Sequence, residues 1–157
     1  MLVTPPPDLV HGLPAADAAA VLALGVPREL SPGEVLFRLG DRADAVYLIR
    51  SGRVSLALPM RLAGRDQDVV VEEYEPGHTL GWSALIPPHR FTLTATAPLG
   101  TSLLQFDRER LMAFCAAHPA IGYPLARNIA AVVGGRLQVF QAMWLREMQR
   151  TVDNAHA

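Results

Sequence analysis

A single cysteine, Cys115, is all the thiol chemistry this sequence offers. One thiol cannot close a disulfide within a chain or supply the ligands of an iron–sulfur cluster. That scarcity fits a reducing, cytoplasmic setting. Charge is sparse too. Only 18% of residues are Asp, Glu, Lys or Arg, and 14 basic against 15 acidic side chains leave a net charge of −1. With a pI near 6.5, the chain carries no electrostatic footprint for nucleic acid or for an anionic membrane. No apolar run is long enough to span a bilayer, the alanine-rich stretch Ala15 to Leu24 included. The N-terminus, Met1 to Val10, lacks the basic start and apolar run of a secretory signal. The five histidines show no ligand spacing such as His-x3-His. There is no GxSxG elbow, no Walker glycine–lysine run and no HExxH. These absences leave no catalytic residue and no metal site to nominate, and the expectation is a protein that is not an enzyme and carries no cofactor.

What is present is a chain of 157 residues, half of them hydrophobic. That is one ordinary domain, able to bury a core without staples. Residues 1–12, with Pro5, Pro6 and Pro7, read as a flexible arm. A short helix is expected from Pro14 to Leu24, with Gly25 as its C-cap and Pro27 beyond it. From Glu29 to Phe106 the hydrophobic period changes to two. Short apolar segments (Val35 to Phe37, Ala45 to Ile49, Arg53 to Leu58, Asp68 to Tyr74, Phe91 to Ala97, Ser102 to Phe106) alternate with glycine turns. That spacing predicts a β-sandwich or barrel. Gly40, Gly52 and Gly77 stand where hairpins need positive φ. Asp107 caps a helix running to about Ala117, His118-Pro119 breaks it, and a long helix follows from Ile121 to about Thr151.

Several spaced motifs in this order resemble a known family. The run from Leu30 to Val54 has a glycine–acid pair (Gly33, Glu34), an apolar strand, a glycine–aspartate pair (Gly40, Asp41), then an aromatic–apolar strand ending at Ser51-Gly52. Pro76-Gly77, Leu80-Gly81, Ala84-Leu85 and Arg90 continue the pattern, and Gly135-Arg136-Leu137 resembles the start of the last helix. Together they are similar to the cyclic nucleotide-binding domain family, in the form seen in regulators like the catabolite activator protein. The resemblance covers about residues 13–145. It implies a mainly β fold with flanking helices, a double-stranded β-helix of jelly-roll or cupin-like kind, preceded by a short helix and followed by a long dimerisation helix. The division expected is a β-roll with short flanking helices over 13–118 and a dimerisation helix and tail over 119–157.

The resemblance also implies a site. The segment Gly81 to Thr92 takes the place of the family's phosphate-binding cassette, in which a short helix turns free N–H groups toward an anion and an arginine pairs with the cyclic phosphate. Gly81, Trp82, Ser83, Ala84, Arg90, Phe91 and Thr92 are the implied ligand contacts, with Arg90 the phosphate partner. Trp82 stands where the family has a glutamate for the ribose hydroxyl. An indole can only donate a hydrogen bond, so that contact is lost or replaced. Read as a plain surface residue, Arg90 would instead pair with Glu72, Glu73 or Glu75. His78 and His89 read as loop residues. Glu72 and Glu73, adjacent on a strand, point to opposite faces and cannot share a site.

Along the last helix Val133, Leu137, Phe140, Trp144 and Met148 recur every three to four residues. The first part of the stripe packs on the roll. A helix from Ile121 to Thr151 is about 45 Å long, so its far end needs another cover, and a homodimer is the simplest. Two functions remain. One is a non-catalytic sensor of a small anion, with cyclic AMP the leading candidate, signalling through the last helix to an unknown partner protein. The other is a dimeric interaction module whose pocket Trp82 fills. Given the charge balance and the lack of a spanning run, neither direct nucleic-acid binding nor membrane association is expected.

Overall fold

The period-two segments fold into strands joined by tight turns, except that the segment expected over Phe91 to Ala97 is strand only over Thr94–Thr96. The protein was analysed as a computed structural model that describes residues 6–156. Its elements in order are α1 (Ala15–Leu22), β1 (Val26–Leu30), β2 (Val35–Phe37), β3 (Ala45–Ser51), β4 (Val54–Leu62), β5 (Arg65–Tyr74), β6 (Thr79–Leu80), β7 (Thr94–Thr96), β8 (Thr101–Asp107), α2 (Arg108–Ala117) and α3 (Pro119–Ala155). One-turn 3-10 helices lie at Asp8–Val10 and Trp82–Leu85. The strands form two four-stranded antiparallel sheets, in the orders β1-β8-β3-β6 and β2-β7-β4-β5. One apolar core runs between and around them. This is the mainly β roll with flanking helices that the sequence implies.

β3 shows why the roll forms. Ala45 to Ile49 are all buried, because a continuous apolar run can serve a strand covered on both faces. Gly40, Gly52 and Gly77 adopt φ of 87°, 83° and 93°, as their turns require. The β4–β5 hairpin is longer than the sequence pattern indicates. It closes at Ala63-Gly64, both at positive φ (49° and 78°), the twist that two-residue hairpins favour. Pro59 hid this extension. A proline is tolerated there because β7 pairs with β4 only over Ser55–Ala57, so at Pro59 that side of the strand is a free edge.

The loose arm expected over residues 1–12 is corrected where the structure describes it. Leu9 and Val10 are buried in the core. The Asp8 carboxylate accepts hydrogen bonds from the Thr79 backbone N–H (3.1 Å) and from the Thr79 hydroxyl. The Asn128 side-chain amide of α3 donates to the carbonyls of Leu9 and His11, at 3.0 and 2.9 Å. Two apolar side chains gain enough by burial to dock the segment, and the prolines before them said nothing about that. Pro5 and the residues before it lie outside the described residues. Gly25 is not the C-cap of α1, which ends at Leu22 with Ala23 as its cap.

The helical end follows its caps. The Asp107 carboxylate accepts from the Arg110 N–H at 2.9 Å, satisfying one free donor of α2. His118 leaves the helical region (φ −129°, ψ 71°), and α3 starts at Pro119, where a missing N–H is harmless. α2 and α3 then approach so closely that a Cβ on Gly122 would lie 2.8 Å from the Cys115 carbonyl oxygen. With 37 residues, α3 is about 55 Å long, six residues longer than the sequence pattern gave.

Candidate functional site

The cassette skeleton is present. Gly81 ends β6 in the left-handed region (φ 76°). A Cβ there would meet the Ala45 carbonyl oxygen at 3.0 Å and the rings of Phe91 and Tyr47 at 3.3 Å, so both conformation and space call for glycine. The turn Trp82–Leu85 follows, with the Ala84 N–H bonded to the Gly81 carbonyl at 3.0 Å. Ser83 and Ala84 are buried, and Trp82 is half-buried against the core. The His89 Nδ1 donates to the Ala84 carbonyl at 3.0 Å, which ties the loop Pro87–His89 back on the turn. His89 is therefore a structural clasp. His78 stays near its own turn, with Nδ1 3.0 Å from the Glu75 carbonyl.

Arg90 is not among the residues that line the slot beside this turn. It is exposed, and its guanidinium donates to the Gly40 carbonyl at 2.8 Å. Nor does it pair with Glu72, Glu73 or Glu75, since no carboxylate among the described residues lies within ion-pair distance of it. Phe91 and Leu93 are buried, whereas Arg90, which meets the sheet only in an isolated bridge with Arg42 ahead of β7, is exposed, and Thr92, also exposed, borders the slot. The inward position after Arg90 belongs to Phe91. Its ring stacks on Phe37 with centroids 3.7 Å apart and planes 8° from parallel. Phe37, Leu56, Gly81, Trp82, Ser83, Phe91, Thr92, Leu93 and Arg136 close the slot to about 10 Å³, about the room of one water. A nucleotide needs a pocket of hundreds of cubic ångströms.

The cation that does face the slot comes from α3. Arg136 is buried, and its guanidinium lies 3.4 Å from the Glu72 carboxylate, the two side chains being 9% and 10% exposed. It also sits 5.8 Å from the ring centroids of both Tyr74 and Phe140, a cation–π arrangement. The Tyr74 hydroxyl donates to Glu72 at 2.7 Å. Glu73 points the other way, to Ser55 (3.1 Å) and Arg53 (3.5 Å), so the two glutamates do occupy opposite faces. Sequence alone marked Arg136 only as part of Gly135-Arg136-Leu137 and did not reveal this cluster. Two signals carried it. Glu72 pairs in register with buried Leu56, and cross-strand partners share a face. Arg136 lies three residues after Val133 and four before Phe140, on the same helical face.

Burial, then the hydrogen bond to Glu72, hold the Tyr74 hydroxyl well above the usual phenol range, against the pull of Arg136. Burial also raises Tyr47, opposed by Arg28. Both phenols thus hold their proton more tightly folded than unfolded. The stability this contributes is complete below the unfolded value of about 10 and is lost as pH rises past it. Urea midpoints are expected to fall between about pH 9 and pH 11, and the fall should be smaller in Tyr74→Phe. An equal fall in wild type and variant would show that Tyr74 contributes nothing to it.

The dimer stripe divides in two. Val133 and Phe140 are half-buried and pack on the roll. Leu137, Trp144 and Met148 are 57%, 66% and 47% exposed, and Leu145 and Val152 join them. Beside the first half of α3, an open apolar groove of about 570 Å³ runs along Leu85, Met112, Cys115, Ala126, Ala130 and Gly134. Burial raises the Cys115 thiol there. Among the described residues, no group of three or more His, Cys, Asp or Glu is placed to hold a metal, and no helix is long and apolar enough to cross a membrane.

Comparison with known proteins agrees with the fold. The family described as cyclic nucleotide-binding domain matches residues 27–118. A Rhodopseudomonas palustris protein described as a potassium channel is 34% identical over 128 residues, 82% of this chain and 29% of that protein. The cyclic AMP receptor protein of Thermus thermophilus is 29% identical over 130 residues, 83% of this chain and 57% of that protein. The crystal structure of the Thermus thermophilus catabolite activator protein superimposes with a TM-score of 0.74 at 27% identity, covering 90% of this chain and 63% of that one. This chain thus spans less than two thirds of the length of each of these relatives.

Proposed function

This chain belongs to the cyclic nucleotide-binding domain family, and from that premise we propose that it is a non-catalytic regulatory domain whose nucleotide slot is closed by its own side chains. It works as a homodimer through the outer face of α3 and passes its output to a partner protein. What carries this reading is the slot: about 10 Å³ remain, with Phe91 stacked on Phe37 inside it and Arg90 bonded to Gly40 outside it. Trp82 adds an indole where the family resemblance implies a carboxylate. Supporting a non-catalytic role, the Tyr74 hydroxyl and Arg136 are both engaged by one oxygen of Glu72.

A second reading, a sensor of a small anion such as cyclic AMP, draws on the retained left-handed Gly81 and the turn after it. Calorimetry separates the two. Wild-type protein titrated with cyclic AMP, cyclic GMP and a 2′-deoxy analogue is expected to give no binding heat up to about a millimolar, a free energy of roughly −4 kcal/mol. Micromolar binding of any of them would sink the closed-slot reading in favour of the sensor.

A further inference from the structure

α3 meets the roll along Ile121, Leu125, Ile129 and Val133, all apolar. The next position on that face is Arg136, the one charged side chain among the buried residues of the helix. A charge there is costly unless paired. Its partner, Glu72, comes from β5, a strand position opposite Leu56 where the core would accept an apolar side chain. The pair is imperfect. Glu72 Oε2 receives both Arg136 and Tyr74, while Oε1 is buried with no partner among the described residues. For stability alone, two apolar residues of similar volume would serve as well or better. A buried ion pair with a vacant acceptor suits a contact that is made conditionally.

Arg136 also lines the slot with Gly81, Trp82 and Ser83. We propose that Glu72 is a built-in counter-ion for Arg136: its carboxylate holds the place of a small anion and so seats α3 on the roll without any ligand. The inference deepens the reading of the slot as self-filled and rests on it. Removing the carboxylate leaves a buried guanidinium unpaired, and α3 lifts away to hydrate it, while the sheets stay folded on their own core.

Amide hydrogen exchange tests this on the full chain without nucleotide. In Glu72→Ala, amides of residues 129–140 are expected to exchange at least roughly tenfold faster than in wild type, with β3 and β8 unchanged. Sodium acetate, whose carboxylate fits the vacated space, is expected to restore part of that protection. Sodium chloride at equal ionic strength is not. Glu72→Gln, which keeps the volume and drops the charge, should behave like Glu72→Ala but gain nothing from acetate. Unchanged exchange in α3 would overturn the proposal, and so would faster exchange spread evenly over the strands, or rescue by chloride as well as by acetate. If calorimetry finds that wild type binds cyclic AMP while Glu72→Ala still releases α3, the closed slot is wrong and the latch stands.

Discussion

Phe91→Ala is expected to destabilise the protein by about 3–5 kcal/mol, the usual cost of truncating a buried phenylalanine. The ring is buried and stacked on Phe37. Phe37 in turn lies 5.9 Å from Tyr47, so the loss opens a three-ring stack at the centre of the roll. The stacking itself adds roughly 0.5–1.5 kcal/mol beyond burial. For a domain of this size each kilocalorie shifts the melting temperature by about 2–4 °C, so a drop on the order of 10 °C should appear in a thermal scan. Arg90→Ala is the control. That side chain is exposed, with one hydrogen bond to a backbone carbonyl, and its loss should cost no more than about 0.5–1.5 kcal/mol. The reverse order of effects would mean that Arg90, not Phe91, is the residue built into the slot.

That contrast also marks what the sequence could convey. The strands, the glycine turns, the Asp107 cap and the His118 break were legible because each is a local pattern with a local cause. The position of the cassette was legible for the same reason, since few residues other than Gly81 tolerate φ of 76° in so tight a space. The N-terminal turn was not. Whether Leu9 and Val10 dock depends on a cleft made by Thr79 and Asn128, residues far away in the chain.

Arg90 is a further case. It meets the sheet only in an isolated bridge with Arg42 ahead of β7, and its bond to the Gly40 carbonyl is made across fifty residues of chain, so no local period encodes its direction. The Glu72–Arg136 pair was half legible: each position falls on a core-facing stripe of its own element, but only the tertiary fold brings the two stripes within 3.4 Å.

Wild-type protein is expected to be a dimer in solution, and Leu137→Asp with Trp144→Asp is expected to yield a folded monomer. The argument starts from length. α3 spans about 55 Å, and its roll-facing contacts end near Phe140. Beyond that point Trp144, Leu145, Met148 and Val152 stand exposed together with Leu137, a contiguous apolar face of the kind that marks an interface. Burying a large apolar side chain stabilises by about 1.5–3 kcal/mol, and a two-fold interface counts every residue twice. Losing Leu137 and Trp144 therefore removes on the order of 6–12 kcal/mol, comparable to the roughly 8 kcal/mol that holds a micromolar dimer. Phe140→Asp is not an equivalent probe. Phe140 packs against the roll beneath Arg136, so a carboxylate there disturbs the seat of α3 before it disturbs the dimer. Sedimentation velocity reads the association state, and far-ultraviolet circular dichroism confirms that the double variant keeps its fold. If wild type is already a monomer at tens of micromolar, or the double variant remains a dimer, the outer face of α3 is not the dimer interface.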